Sequence, residues 1–362
     1  MSEECRTTPL TAWHQARGAK MAPFAGWLMP IQYEGILAEH EHTRHHAGLF
    51  DICHMGEFLI EGEGADAALS RAVSHNLATL KEGKCRYGFI LNERGGVMDD
   101  CIVYRFGADS FMIVVNAACI AGDFAALRAR LPETVSLKDV SDETGKIDLQ
   151  GPESLAVLES VLGQDFHDLG YFGFVRTQWQ GAPLLVSRTG YTGELGFELY
   201  LPADKVVAFW EALLADERVK PAGLGARDTL RLESGLPLYG HELDEEHNPA
   251  EAGMGRMLTS EADYVGKAGA QTIREKLLAL VIDGRRAARG GDVLALPDGT
   301  PVGRVTSGSF APSLGCVIAF AWADAAHADA DAYVVKASRA ELPARVTEVP
   351  FYKDGTARMK LK

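Results

Sequence analysis

After Lys276 the chain changes character: helical periodicity stops, and short apolar runs are separated by turns at Asp283-Gly284, Gly290-Gly291 and Pro297-Asp298-Gly299. A segment patterned this way buries itself only by closing strands on one another, which predicts a small all-β barrel over residues 276–362. Upstream, over residues 1–275, helical and strand periods alternate. Residues 36–46 read as a helix ended by Gly48, and residues 65–73 as a second one. Residues 87–91 and 97–105 read as a hairpin around Asn92-Glu93-Arg94-Gly95-Gly96. A strand over 110–116 and a helix over 123–130 follow. A comparable unit then recurs, with a strand from Ile147, a helix over 153–162, a hairpin-like stretch over 184–200 and a helix over 205–214. This order predicts α+β sheets with helices on one face. No long Pro/Gly/Ser linker divides the chain, so the parts pack tightly and their junction is the natural ligand cleft.

Charge narrows the function. Fifty acidic residues against 36 basic ones leave a net charge of −14, whereas nucleic-acid affinity needs clustered Lys and Arg that release counterions. The expectation is no nucleic-acid partner, and any anionic ligand must meet a local set of arginines. The six cysteines contain no CxxC pair and no zinc or disulfide spacing, which predicts reduced thiols and no metal. No apolar run approaches the ~18 residues of a spanning helix. The start Met-Ser-Glu-Glu-Cys-Arg lacks a basic and an apolar leader region, so the expectation is a cytoplasmic protein without membrane contact.

Several short patterns could carry chemistry. Gly62-Glu63-Gly64-Ala65-Asp66-Ala67 mimics a dinucleotide-binding turn, but Glu63 would oppose a pyrophosphate and no acid ends a second strand at the required distance. A tight strand-to-helix turn is the better reading. His42 and His46 lie one helical turn apart, yet without an HExxH order they read as a solvated polar face. Asp99 and Asp100 open an apolar strand, and because strand residues alternate, one of the two must face inward. Turn capping accounts for Asp99; Asp100, on the side of Ile102 and Tyr104, is the candidate cleft carboxylate. Glu198 ends a glycine-rich segment inside an apolar strand and needs a paired donor, either a structural cation or the adjacent N–H donors of a pterin ring. Arg227 and Arg231 stand four apart on a probable helix. Arg227 suits a protein acid or the glutamyl tail of folate, whereas Arg231 with Glu233 reads as structural.

Six ordered blocks then stand out: Phe50-Asp51-Ile52-Cys53-His54-Met55-Gly56, Gly95-Gly96-Val97-Met98-Asp99-Asp100, Gly190-Tyr191-Thr192-Gly193-Glu194, Gly223-Leu224-Gly225-Ala226-Arg227-Asp228, Gly303-Arg304-Val305-Thr306-Ser307-Gly308 and Val349-Pro350-Phe351-Tyr352. As a set, covering nearly the whole chain, they resemble the glycine cleavage T-protein family. The resemblance implies a three-domain cloverleaf-like α+β arrangement around a central folate channel, closed by the C-terminal all-β barrel. It implies an aminomethyltransferase that passes a methylene unit from the aminomethyl group on a lipoylated H-protein to tetrahydrofolate, with release of ammonia. Asp100 would be the catalytic carboxylate. Met55, Tyr87, Tyr104, Asn116, Tyr191, Glu198, Arg227, Arg289 and Arg358 would line the folate site. Cys53, Leu236-Pro237 and Met254-Gly255-Arg256-Met257 depart from the usual family pattern, and the last of these bears on the shape of the cofactor wall.

Two other functions share such a scaffold. A folate-dependent demethylase of a sulfonium or methoxy compound is disfavoured by Asp99-Asp100 and the intact His54-Met55-Gly56. A non-catalytic folate-binding helper in RNA modification or iron–sulfur assembly would carry a Lys-Gly-Cys-Tyr-type signature. Lys84-Cys85-Arg86-Tyr87 lacks its glycine.

Overall fold

The computed structural model describes residues 5–338 and 340–361. Two large open sheets, a two-stranded ribbon of Lys20–Phe24 and Trp27–Gln32, and a closed barrel make up the described residues. The first sheet has six strands in the order Phe174–Trp179, Ala182–Ser187, Gly196–Pro202, Thr144–Gln150, Ala47–Asp51 and Val219–Pro221, antiparallel except for the last pair. The second has five antiparallel strands, Cys85–Leu91, Val97–Gly107, Ser110–Val115, Gly56–Glu61 and Ser136–Asp139. The chain lays down Ala47–Asp51 in the first sheet, builds the whole second sheet, and returns at Thr144. Six antiparallel strands from Glu275 onward close the barrel, as the loss of helical period predicts.

Each sheet hides one face under helices. Val157 and Leu158 of helix Ser154–Leu162, with Phe209, Trp210 and Leu213 of helix Val206–Leu214, pack on Ile147, Leu149, Phe197 and Leu199. Helices Ala65–Ala72 and Ile120–Arg130 cover Cys101, Val103, Ile113 and Val115 in the same way. The uncovered faces then turn toward each other, where Tyr104, Met112 and Val114 of the second sheet meet Phe174, Leu185 and Tyr200 of the first. Buried apolar area of this kind contributes on the order of 25 cal/mol per Å². The barrel joins through Leu232, on helix Leu224–Glu233, against Ile318, Phe320 and Phe351.

Two local expectations need correction. Gly48 does not end the first long helix, which stops at His45; it sits inside the strand Ala47–Asp51, where a Cβ would lie 2.2 Å from the Thr43 hydroxyl. The helix demands a close neighbour there, and only glycine fits. The hairpin-like stretch over 184–200 holds, with Ala182–Ser187 paired antiparallel to Gly196–Pro202, and a tighter hairpin precedes it, where Phe174–Trp179 and Ala182–Ser187 flank Gln180 and Gly181, both with positive φ (48° and 81°). The polar helix Ile36–His45 is not solvated all round, since Glu39, His40 and Arg44 are buried. Gly62 and Gly64, with φ of 122° and 82°, form the tight strand-to-helix turn.

Gly151 ends the strand Thr144–Gln150 with φ at 134°, and a Cβ there would approach the His46 carbonyl to 2.0 Å. Backbone cannot yield as a side chain can. Gly151→Ala should therefore destabilise the protein by about 2 kcal/mol. Urea unfolding would show this as a lower midpoint with an unchanged slope; an unshifted midpoint would refute the close approach.

Candidate active site

Alternation along the strand Val97–Gly107 divides its two acids. Asp99 shares a face with Cys101 and Val103 and points under the helices, whereas Asp100 shares a face with Ile102 and Tyr104 and points into the junction between the sheets. Asp99 is not a turn cap: it is fully buried, and its oxygens accept from the Asn116 backbone N–H (2.9 Å) and Nδ2 (2.8 Å). The same Nδ2 donates to Asp100 Oδ1 at 2.9 Å, so a single carboxamide ties the two acids together.

Burial, followed by the charge of Asp99, pushes the Asp100 carboxyl up to about 7, against the opposing pull of Tyr87 and Asn116. The Tyr87 hydroxyl faces Asp100, buried and without a hydrogen bond of good geometry. An orphaned donor beside a near-neutral carboxyl is what a polar ligand would satisfy. Tyr191 closes the other side, donating to the Pro237 carbonyl, with the Arg227 guanidinium 5.0 Å over its ring.

Four charged groups form the floor. Register places Glu198 opposite Asp148 and Tyr200 opposite Lys146 on adjacent strands, so two carboxylates sit side by side. Each has its own cation: Lys146 Nζ lies 3.4 Å from Glu198 Oε1, and Arg227 Nη1 lies 2.5 Å from Asp148 Oδ2. Glu198 also accepts from Thr189 (2.7 Å) and Tyr200 (3.3 Å). Although burial raises its pKa, the Lys146 ammonium, Thr189 and Arg227 hold Glu198 below its usual range. Asp148 is pushed up to about 6 by burial, against the pull of Arg227. Buried Glu57 rises to about 8, and buried His54 falls to about 4, so both are neutral near pH 7.

Of the predicted site residues, Asp100, Tyr87, Asn116 and Tyr191 come together, and Glu198, Arg227 and Met55 join them through the charged floor. Met55 touches it directly, its sulfur 3.3 Å from Lys146 Nζ. Tyr104 is fully buried and links the two sheets, hydrogen-bonded to Ser187 (3.1 Å) and to the Tyr200 hydroxyl (2.9 Å). Arg289 and Arg358 are both exposed, Arg289 just before the barrel strand Val293–Ala295 and Arg358 with its guanidinium 5.6 Å over the Tyr171 ring. Arg231 is structural, but through Asp228, Glu242 and the barrel's Ser307; Glu233 pairs instead with Arg44. His42 Nε2 donates to the Arg218 carbonyl and His46 pairs with Glu153, so neither is arranged as a ligand.

Sequence reasoning missed Lys146 and Asp148. The available signal was the alternation Lys146-Ile147-Asp148-Leu149-Gln150, whose polar face is turned inward rather than to water. It also missed Asp123 on helix Ile120–Arg130, buried with a side-chain oxygen that has no partner. Burial and the charge of Asp99 push Asp123 up to about 10, and burial raises Asp99 as well.

Comparison with known proteins gives consistent matches. Residues 10–261 match the family described as the GCVT N-terminal domain, and residues 275–353 the glycine cleavage T-protein C-terminal barrel domain. The chain is 42% identical over 360 residues to an aminomethyltransferase of Saccharopolyspora erythraea, covering 96% of this chain and 98% of that one. With an aminomethyltransferase of Thermotoga neapolitana it shares 39% over 361 residues, covering 98% and 99%. The crystal structure of glycine cleavage system aminomethyltransferase T from Bartonella henselae is similar with a TM-score of 0.92 at 34% identity, covering 98% of this chain and 99% of that one.

Proposed function

Since the chain belongs to the glycine cleavage T-protein family and is an aminomethyltransferase of the glycine cleavage system, we propose that it uses Asp100 to pass a methylene unit to tetrahydrofolate. The donor is the aminomethyl group on the lipoyl arm of the H-protein, and ammonia leaves. Three units around a central channel fit this reading: two interleaved in residues 1–275, and the barrel in residues 276–362. A cytoplasmic setting fits too, and among the described residues no helix is long and apolar enough to cross a membrane.

One observation carries the reading. A carboxylate poised near 7, beside an orphaned tyrosine hydroxyl, faces the junction of the two sheets. The bound folate would supply the nucleophilic nitrogen. Asp100 stabilises the positive charge that builds on the transferred carbon as its bond to nitrogen weakens, in a site from which water is largely excluded. Asn116 orients that carboxylate. Tyr87 offers its free hydroxyl to the ligand's polar edge. Glu198 keeps lone pairs for a pterin N–H pair, and Arg227 keeps donors for a glutamyl carboxylate. Arg289 and Arg358 would reach only the outer end of such a ligand.

The test of function is ammonia release from lipoylated, aminomethyl-loaded H-protein, dependent on tetrahydrofolate. Turnover of a methylated sulfonium or methoxy compound in its place would favour the demethylase reading. For the binding roles, Glu198→Gln and Arg227→Ala should each weaken tetrahydrofolate binding by roughly 1.5–3 kcal/mol, the worth of a charge-assisted bond. Arg227→Ala should leave binding of a tail-less tetrahydropterin unchanged. Calorimetry giving wild-type affinity for both variants would contradict these assignments.

A further inference from the structure

Behind Asp100 lies a second pair of acids that forms no ion pair with a cation among the described residues. Asp99 and Asp123 are 0% and 1% exposed, and one carboxylate oxygen of each lies within 4.8 Å of the other and of the Cys119 sulfur. Two carboxylates so close in a dry interior cannot both be charged. Arg130, on the same helix as Asp123, directs its guanidinium to the carbonyls of Ala72 and Leu91 instead. Asp123 therefore has an oxygen that no donor among the described residues reaches, while both oxygens of Asp99 accept from Asn116.

We propose that Asp99 and Asp123 are positioning residues for the transfer: the Asp123 carboxyl, carrying a proton, donates it to Asp99, and Asp99, through the Asn116 carboxamide, fixes the carboxylate of Asp100. The pair then holds one negative charge, placed where it opposes ionisation of Asp100. The effect on the reaction rests on Asp100 being the reacting carboxylate; the coupling itself does not. Other groups facing the trio are Tyr87 and Tyr191 against Asp100, and Cys101, Cys119 and Tyr239 against Asp99. Burial raises the pKa of each of these thiols and phenols, so they stay neutral through the range in which Asp100 titrates.

The coupling can be read without substrate, by carbon-13 NMR of labelled aspartates in the free protein. Asp99→Asn removes the neighbouring charge and should lower the Asp100 midpoint by about one pH unit or more. Asp123→Asn keeps a neutral donor toward Asp99 and should leave that midpoint in place. In steady-state assays Asp123→Ala should cut kcat about 10-fold with an unchanged KM for tetrahydrofolate, and Asp123→Asn should restore it to within about twofold. An unmoved midpoint in Asp99→Asn would overturn the coupling even if Asp100→Asn is inactive. Equal kcat for Asp123→Ala and wild type would overturn the positioning role. So would a stoichiometric metal ion found by elemental analysis of the purified protein and lost in Asp123→Asn. Conversely, a shifted midpoint together with full activity in Asp100→Asn would leave the coupling standing and remove Asp100 from the reaction.

Discussion

Asp100→Asn should lower turnover by roughly 10² or more while tetrahydrofolate binds with nearly wild-type affinity. The carboxamide keeps the shape of the side chain and can still accept from Asn116 Nδ2, so geometry is preserved and charge alone is lost. Removing one preorganised electrostatic partner of a developing charge costs this much. The wild-type rate should rise with pH through an apparent pKa near 7, because the carboxyl is held up to about 7 and only its ionised form stabilises a cation. In the variant that limb should vanish. The stability signature has the opposite sign. A carboxyl whose folded pKa lies above its unfolded value of ~3.9 favours the folded state below that value, and the advantage is lost as pH rises through about 7. At pH 8 the variant should therefore unfold at the same temperature as the wild type or a higher one. A variant that loses activity because it melts earlier would point to misfolding, and one with wild-type turnover would remove Asp100 from the reaction.

The location of Asp100 was legible in the sequence because strand alternation needs only the pattern around it: Asp99 and Asp100 must part company wherever the strand goes. The barrel was legible for a similar reason, since a run of short strands with turns has few ways to close. The floor of the site was not. Lys146, Asp148 and Gln150 alternate with Ile147 and Leu149, a pattern that describes a sheet with one wet face. In the fold that face meets the second sheet, and nothing local to residues 144–150 announces the partner. Asp123 was hidden in the same way, one acid among the polar residues of helix Ile120–Arg130 until the helix is laid over Asp99.

Lys146→Met should destabilise the protein by about 3–5 kcal/mol at pH 8, the cost of leaving a buried charge without its partner. Lys146 is 1% exposed, and Glu198 is the sole carboxylate within ion-pair distance of its ammonium among the described residues. Glu57 cannot take the role, because burial holds it protonated up to about pH 8. Methionine fills nearly the same volume beside Met55 and the Tyr200 ring, so the loss is electrostatic rather than a cavity. The pH dependence follows from the sign. Glu198 in the wild type is held below its usual range, so its contribution is present above the unfolded pKa and fades as pH falls below it. Without the ammonium, its folded pKa rises above the unfolded one, and the variant regains ground as pH falls toward 5 because Glu198 can take up a proton. Chemical denaturation at pH 8 and pH 5 should show a wide gap from wild type at the first and a narrower gap at the second. Lys146→Met with Glu198→Gln should recover most of the loss, since two neutral groups meet where an unpaired anion stood. Equal losses at both pH values, with no recovery in the double variant, would mean that Lys146 acts through packing, and that the charges of the floor are not balanced as Lys146 with Glu198 and Arg227 with Asp148.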